Sequence, residues 1–329
     1  LLGKEKVAII ENGVDLEHFS PDLPADNIKQ ILGLNNTFVV GFVGSFKPWH
    51  GIENIISLAE AIKPEGIDIR FLIVGDGKEI SNYEEMIKAK GLEGSFIFTG
   101  FIEHDRVHEY IAAMDVAIAP HKSDSFKESG GFHGSPLKIF EYMAMAKPII
   151  TAPIGQIKDI IIDGQSGRLI FSEDINALKA EIKKLYADKM YRQTLAINAR
   201  KRVEERYSWK ENAIKVRTLF NMVLHNNASD KKIGRKIKIA ILLPSIHIGG
   251  AEKLVIEELS YLKSDPRFSF EVHLVFEKGA FFSDLSSLGL PVYVWNAPHK
   301  SIRMFKTYWN IGCHLRRTGC DILHTHLLD

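Results

Sequence analysis

Short apolar runs alternate with helix-forming segments from residue 7 to residue 224, and this alternation restricts the fold more than any other feature of the chain. Residues 37–43, 68–74, 95–99, 116–119 and 149–151 are β-branched and aromatic runs of strand length. Helices are predicted between and after them, at 52–61, 82–90, 106–114, 175–187, 190–205 and 210–224. Strands that each feed a helix and return to a further strand build a parallel sheet covered on both faces. The expectation is an α/β, Rossmann-like, doubly wound architecture. After a polar stretch at 226–236 the pattern restarts, with a strand at 237–244, a helix at 254–262 and strands at 270–276, 291–295 and 321–324. A chain of 329 residues has room for two such domains. The division reads as 1–225, a linker at 226–236 and a partial second domain at 237–329.

Residues 129–151, SGGFHGSPLKIFEYMAMAKPIIT, carry the densest chemistry. Ser135 is a good N-cap, and Pro136 fits the first helical position because its missing N–H costs nothing there. Leu137, Phe140, Met143 and Ala144 recur at helical spacing, and Lys147-Pro148 ends the helix before the strand 149–151. A helix N-terminus offers free N–H groups and positive potential to a phosphate, and Lys138 adds a charge in the same turn. Glu141 lies five residues past Pro136, roughly 7–8 Å along the axis, about the reach from a pyrophosphate to the ribose of the same nucleotide. The other reading of Lys138 and Glu141 is an i,i+3 ion pair on a solvated face, worth a few tenths of a kcal/mol.

Ser-Pro-x-Lys-x-x-Glu-Tyr-Met-Ala, followed by Lys-Pro and a β-branched strand, resembles the donor-binding helix of the retaining glycosyltransferases of family 4, which have the two-lobed GT-B fold. That family places two glutamates eight positions apart. Glu141 matches the second, which holds the nucleotide ribose. The first falls on His133, so the chain departs from the pattern where the family contacts the donor sugar. Asn12-Gly13-Val14-Asp15, with Phe19 and Pro21, is similar to the family's entry into its second lobe.

The loop after strand 37–43 runs Gly44-Ser45-Phe46-Lys47-Pro48-Trp49-His50-Gly51 and precedes a helix, a setting in which glycine lets backbone N–H groups approach an anion. Lys47 and His50 are candidate donors there. Gly75-Asp76-Gly77 is not a dinucleotide signature, because the third glycine and the later acidic residue are missing. The resemblance implies that the backbone at Ile102 lines the nucleotide base. It also implies that residues 237–329 open an acceptor-side first lobe, with Gly249 and Gly250 in its Gly-Gly-Ala-Glu loop. A second lobe before the start of a first reads as a piece of a tandem of two glycosyltransferases, and both ends read as cut.

Composition limits the partners. A net charge of +1 gives no argument for nucleic acid. The basic cluster Lys231, Lys232, Arg235, Lys236 and Lys238 is either a solvated linker or a weak anchor to anionic lipid. Two cysteines point to a reducing compartment, and no apolar run approaches the ~18 residues of a spanning helix. The expectation is a cytoplasmic chain with a peripheral contact on the inner membrane face. Cys313, His314, Cys320, His324 and His326 lie close in sequence, but the two cysteines are spaced too widely for a structural zinc pair, and no metal is expected.

The resemblance implies transfer of a sugar, with retention and without a metal, from a UDP- or GDP-linked donor to a glycan or lipid-linked acceptor in cell-surface polysaccharide synthesis. The nucleotide-sugar is a substrate, and no cofactor is implied. Lys47, Lys138 and the helix start at Ser135, Pro136 and Leu137 would neutralise the leaving diphosphate. Gly44 would admit it, Glu141 would anchor the ribose, and His133 would face the sugar. A non-catalytic nucleotide-sugar-binding module and a sugar-nucleotide epimerase of the GT-B fold are the alternatives.

Overall fold

The computed structural model describes residues 10–24, 26–122, 136–226, 235–245, 250–298 and 302–325. Its strands are β1 (Phe38–Val43), β2 (Ile69–Val74), β3 (Phe96–Phe98), β4 (Val116–Ala119), β5 (Ile149–Thr151), β6 (Arg168–Leu169), β7 (Ile237–Leu243), β8 (Phe268–Leu274), β9 (Val292–Val294) and β10 (Ile322–Thr325). Its α-helices are α1 (Asp26–Ile31), α2 (Ile52–Ile62), α3 (Ile80–Ala89), α4 (Val107–Ala112), α5 (Leu137–Ala144), α6 (Ile157–Ile160), α7 (Ile175–Ala187), α8 (Lys189–Arg206), α9 (Trp209–Asn226), α10 (Gly250–Leu262), α11 (Phe282–Ser287) and α12 (Ile302–Thr318). The chain divides into two compact units, Glu11–Ser208 and a second that takes in Ile10 and everything from Trp209.

In the first unit the six strands are parallel, in the order β3-β2-β1-β4-β5-β6. β1 lies inside the sheet, so both its faces are covered and its sequence is continuously apolar. Period-two alternation sends Val39 into a core with Ile139, Phe140 and Ala199. Val40 and Phe42 go into the opposite core with Ile55, Ile56 and Leu178. The second unit has a parallel sheet in the order β10-β7-β8-β9. The doubly wound parallel architecture expected from the alternation is the one observed.

Three local expectations are corrected. Pro136 occupies the N-cap position of α5, with extended backbone at φ −72° and ψ 116°, so the helix starts one residue later than Ser135 as N-cap would place it. Proline supplies no capping side chain, and the first N–H groups of α5 are left to other acceptors. Burial of α5 also extends beyond the one apolar face its spacing gives: Ile139, Phe140, Glu141, Tyr142, Met143 and Ala144 are all buried. The sequence pattern groups α9 with the first domain. Instead, its apolar face, Ala213, Val216 and Phe220, packs with Ile239, Ile241 and Leu259 of the second unit.

α5 ends in a left-handed turn. Ala146 has a φ of +47°, and the N–H of Lys147 bonds the carbonyl of Tyr142 at 3.0 Å. A Cβ at that φ is strained, so Ala146→Gly is expected to stabilise the chain by about 1 kcal/mol. Urea denaturation reads this directly, as a higher midpoint with an unchanged slope.

Candidate functional site

The sheet of the first unit changes winding direction between β1 and β4, and a crevice opens at the carboxyl ends of these strands. Two glycine-initiated loops border it. The loop after β1 begins at Gly44, whose φ of +151° and lack of a side chain both matter: a Cβ there would fall 2.6 Å from the Nζ of Lys138. The loop after β2 begins at Gly75, with a φ of +128°, where a Cβ would lie 2.2 Å from the carbonyl oxygen of Gly44. The two loops meet backbone to backbone, with the N–H of Gly44 donating to the Val74 carbonyl at 2.9 Å. Gly75→Ala is therefore expected to cost about 3 kcal/mol and to part these loops, a loss seen as a lower denaturation midpoint.

α5 enters the crevice from β4's side and is held through two contacts in its carboxyl-terminal half. The Val43 N–H donates to the Tyr142 hydroxyl at 2.7 Å, fixing the helix to the end of β1. At its last residue Arg200 donates to the carbonyl of Ala144 (2.6 Å), and also to that of Phe19 (2.9 Å), satisfying a terminal carbonyl of the helix. The side chains that α5 presents to the crevice are thus set on a rigid element.

Lys138 is the centre of the site's electrostatics. Its Nζ sits 4.4 Å from the centroid of the Phe42 ring and 3.4 Å from His50 Nε2. His50 Nδ1 is hydrogen-bonded to the Ser45 carbonyl. A carbonyl only accepts, so Nδ1 carries the proton and Nε2 turns its lone pair to the lysine. Burial lowers the Lys138 amine to about 7, against the opposing pull of Glu141. Burial and the neighbouring Lys138 charge lower His50 to about 3. His121, buried just after β4, is lowered well below its usual value for the same two reasons. Three basic groups thus crowd one point, where burial weakens all three and the Lys138 charge further lowers both histidines, an arrangement that an anion placed among them would reverse.

Glu141 is only 6% exposed, and its Oε1 is 2.9 Å from His104 Nε2. It is therefore not half of a solvated pair with Lys138. His104 in turn packs edge-on against Phe19, at a centroid distance of 5.7 Å. Beside the glycine loops is a cavity of about 220 Å³ lined by Val43, Gly44, Gly75, Asp76, Phe101 and Ile102.

Of the residues singled out in the sequence, the structure brings together Gly44, His50, Pro136, Leu137, Lys138, Glu141 and Ile102 around this crevice. Lys47 is exposed on the loop beside them and acts on His50 through its charge. His133 and Ser135, and Gly249 of the second unit, lie outside the described residues; Gly250 opens α10. His104 was not legible. His121 follows a strand that ends at the crevice, which is a usable signal. His104 is 37 residues from its carboxylate partner, and no local pattern marks it.

In the second unit, Glu271, His273 and His314 bring ligand-type atoms within 4.8 Å of one another. Trp295 Nε1 donates to His273 Nδ1 at 3.1 Å, which puts the His273 proton on Nε2, where it points to Glu271 Oε1 at 3.2 Å. Lys238 takes the other carboxylate oxygen at 2.9 Å. A cation at that point would meet an N–H and a neutralised carboxylate, since Glu271, His273, Lys238 and Trp295 already form a hydrogen-bonded core network. Of the cysteines, Cys313 is exposed and Cys320 Sγ lies 3.0 Å from the Ile322 carbonyl.

The family model described as Glycosyl transferases group 1 matches residues 24–202. An uncharacterized glycosyltransferase of Methanocaldococcus jannaschii is 28% identical over 218 residues, 66% of this chain and 54% of that protein. The capsular polysaccharide biosynthesis glycosyltransferase CapM of Staphylococcus aureus is 26% identical over 206 residues, 61% of this chain and 51% of its own. The chain thus spans about half the length of the curated relatives it matches. Among solved structures, HepE of Anabaena in complex with UDP has a TM-score of 0.59 at 24% identity, over 67% of this chain and 58% of that one. The C-terminal domain of a group 1 family glycosyl transferase from Francisella tularensis has a TM-score of 0.52 at 22% identity, over 60% of this chain and 99% of that domain. These likenesses are of fold, and the fold is that of GT-B glycosyltransferase lobes.

Proposed function

The chain belongs to the group 1 glycosyltransferases, and on that footing we propose that the unit Glu11–Ser208 is a donor lobe for a UDP- or GDP-linked sugar. The enzyme it serves transfers that sugar, with retention, to a hydroxyl of a glycan or lipid-linked acceptor. The observation that carries the reading is the convergence of Gly44, Lys138 and the start of α5 at the winding change of the sheet. A diphosphate laid there meets the first N–H groups of α5 and the Lys138 amine, with Lys47 adding charge from the rim. Glu141 lies farther along the helix and accepts from the ribose hydroxyls. The base enters the cavity beside Ile102, with Phe101 at its mouth.

Cleaving the bond between the sugar's anomeric carbon and the diphosphate leaves negative charge on the leaving group. Donors already fixed around it stabilise that charge without reorganising. HepE, whose structures include complexes with UDP and with UDP-glucose, and CapM, whose name places it in capsular polysaccharide synthesis, support the donor class and the biological setting. We read the second unit as the opening of an acceptor-side lobe of another glycosyltransferase, so that the two units serve different active sites. A lipid-linked acceptor calls for a peripheral membrane contact, and among the described residues no helix is long and apolar enough to cross a membrane.

Sugar nucleotides incubated with an acceptor extract and the enzyme this lobe serves, its own acceptor-side lobe included, test the reaction. The expected result is release of one nucleoside diphosphate and a product with the anomeric configuration of the donor. An inverted product contradicts retention; binding without any release from any donor makes the lobe a non-catalytic module.

A further inference from the structure

α12 has apolar residues on two sides. One side, Ile311 and Leu315, is buried with Ala240, Leu242, Val275 and Ala297, and this side docks the helix on its sheet, with His314 packed against His273, Tyr293 and Trp295. On the other side Phe305 is 71% exposed and Trp309, one turn on, is 74% exposed. The fold gains nothing from them. The same helix has no Asp or Glu in its 17 residues, but it has Arg303, Lys306, Arg316 and Arg317. Lys306, Arg316 and Arg317 are exposed, as are Asn310, Gly312 and Cys313 between them.

α8 shows that basic content alone is not the signal. It is equally basic, but Arg200 and Arg202 are spent on the carbonyls of Ala144 and Ile160, and Lys201 and Arg200 pair with Glu205 and Glu204. None of the ion pairs among the described residues involves Lys306, Arg316 or Arg317. Lys306, Arg316 and Arg317 stand over solvent beside two large aromatic side chains, in a chain whose net charge is only +1.

We propose that α12 is a membrane-contact element: its outer face lies on an anionic phospholipid surface, with Phe305 and Trp309 inserted at headgroup depth and Lys306, Arg316 and Arg317 on the lipid phosphates. The assignment rests on the peripheral contact proposed above and names the residues that make it. The chemistry selects this occupant. A tryptophan beside a phenylalanine partitions into the boundary between headgroups and acyl chains. Cations without acidic neighbours gain from a negative surface and lose that gain as salt rises. A helix packed on its own sheet lies flat and inserts only side chains.

Flotation of the full chain with vesicles of phosphatidylcholine, with or without about a third phosphatidylglycerol, tests it. The expected result is salt-sensitive binding to the anionic vesicles only. Binding should weaken about tenfold in Phe305→Ser/Trp309→Ser and about a hundredfold in Lys306→Gln/Arg316→Gln/Arg317→Gln. Both variants should melt at the wild-type temperature, since no buried atom changes. Emission of Trp309, read as the difference between wild type and Trp309→Phe, should shift to the blue on anionic vesicles. Binding that survives both variants overturns the assignment to α12 but leaves the peripheral contact standing; no binding to either vesicle overturns both. Trp309 shielded from an aqueous quencher without vesicles, or a dimer abolished by the aromatic variant, shows a protein surface already on this face and overturns the lipid assignment.

Discussion

Lys138→Ala is expected to slow sugar transfer by about two to three orders of magnitude and to weaken nucleoside diphosphate binding at least about tenfold. The amine sits 3.4 Å from His50 Nε2 and close above Gly44, where a diphosphate at the start of α5 would lie. The transition state carries more negative charge on the diphosphate than the bound donor does, so the rate should suffer more than the affinity. A wild-type-like rate in this variant would remove Lys138 from the chemistry.

The same amine gives the site a signed pH dependence. Its value of about 7 in the empty site means that the free lysine loses its proton as pH rises past neutrality. The ligand binds the ammonium form, so affinity should fall about tenfold per pH unit above 7. Stability of the empty protein moves the other way. The unfolded chain keeps this proton up to about 10.5, so between 7 and 10.5 it binds more protons than the folded state, and the Lys138 contribution rises with pH. Lys147, which burial lowers to about 8, adds the same sign. Titration calorimetry at pH 6, 7 and 8 should then show proton uptake on binding that grows with pH and vanishes in Lys138→Ala.

Glu141→Ala is the second large effect, expected to cost about 10²-fold in affinity for a ribonucleoside diphosphate. A carboxylate held by His104 at 2.9 Å and only 6% exposed is positioned to accept from two hydroxyls, and alanine removes both bonds. The matching 2′-deoxyribonucleotide should lose less on this substitution, because it makes one of those bonds at most. Equal losses for the two sugars would mean that Glu141 supports the site without reading the ribose.

Much of this was legible in the sequence, for physical reasons that differ by residue. β1 and β2 showed themselves because strands buried on both faces need continuous apolar runs. The distance between Lys138 and Glu141 along α5 was readable because helix geometry converts spacing into length. Pro136 was misplaced by one position, since proline suits both the cap and the first turn. α9 was grouped with the wrong unit because its periodicity reveals an apolar face but not which sheet covers it. The His104–Glu141 and Lys138–His50 pairs join residues 37 and 88 positions apart, and only the folded chain brings them together.

Thermal denaturation with UDP, GDP and ADP in turn tests the donor-site reading most directly. One nucleotide, at ~100 times its dissociation constant, should add about 2.7 kcal/mol and raise Tm by several degrees. The shift should shrink in both Lys138→Ala and Glu141→Ala. A cooperatively melting wild-type protein that no nucleotide shifts, even at millimolar concentration, would contradict a nucleotide site in this crevice.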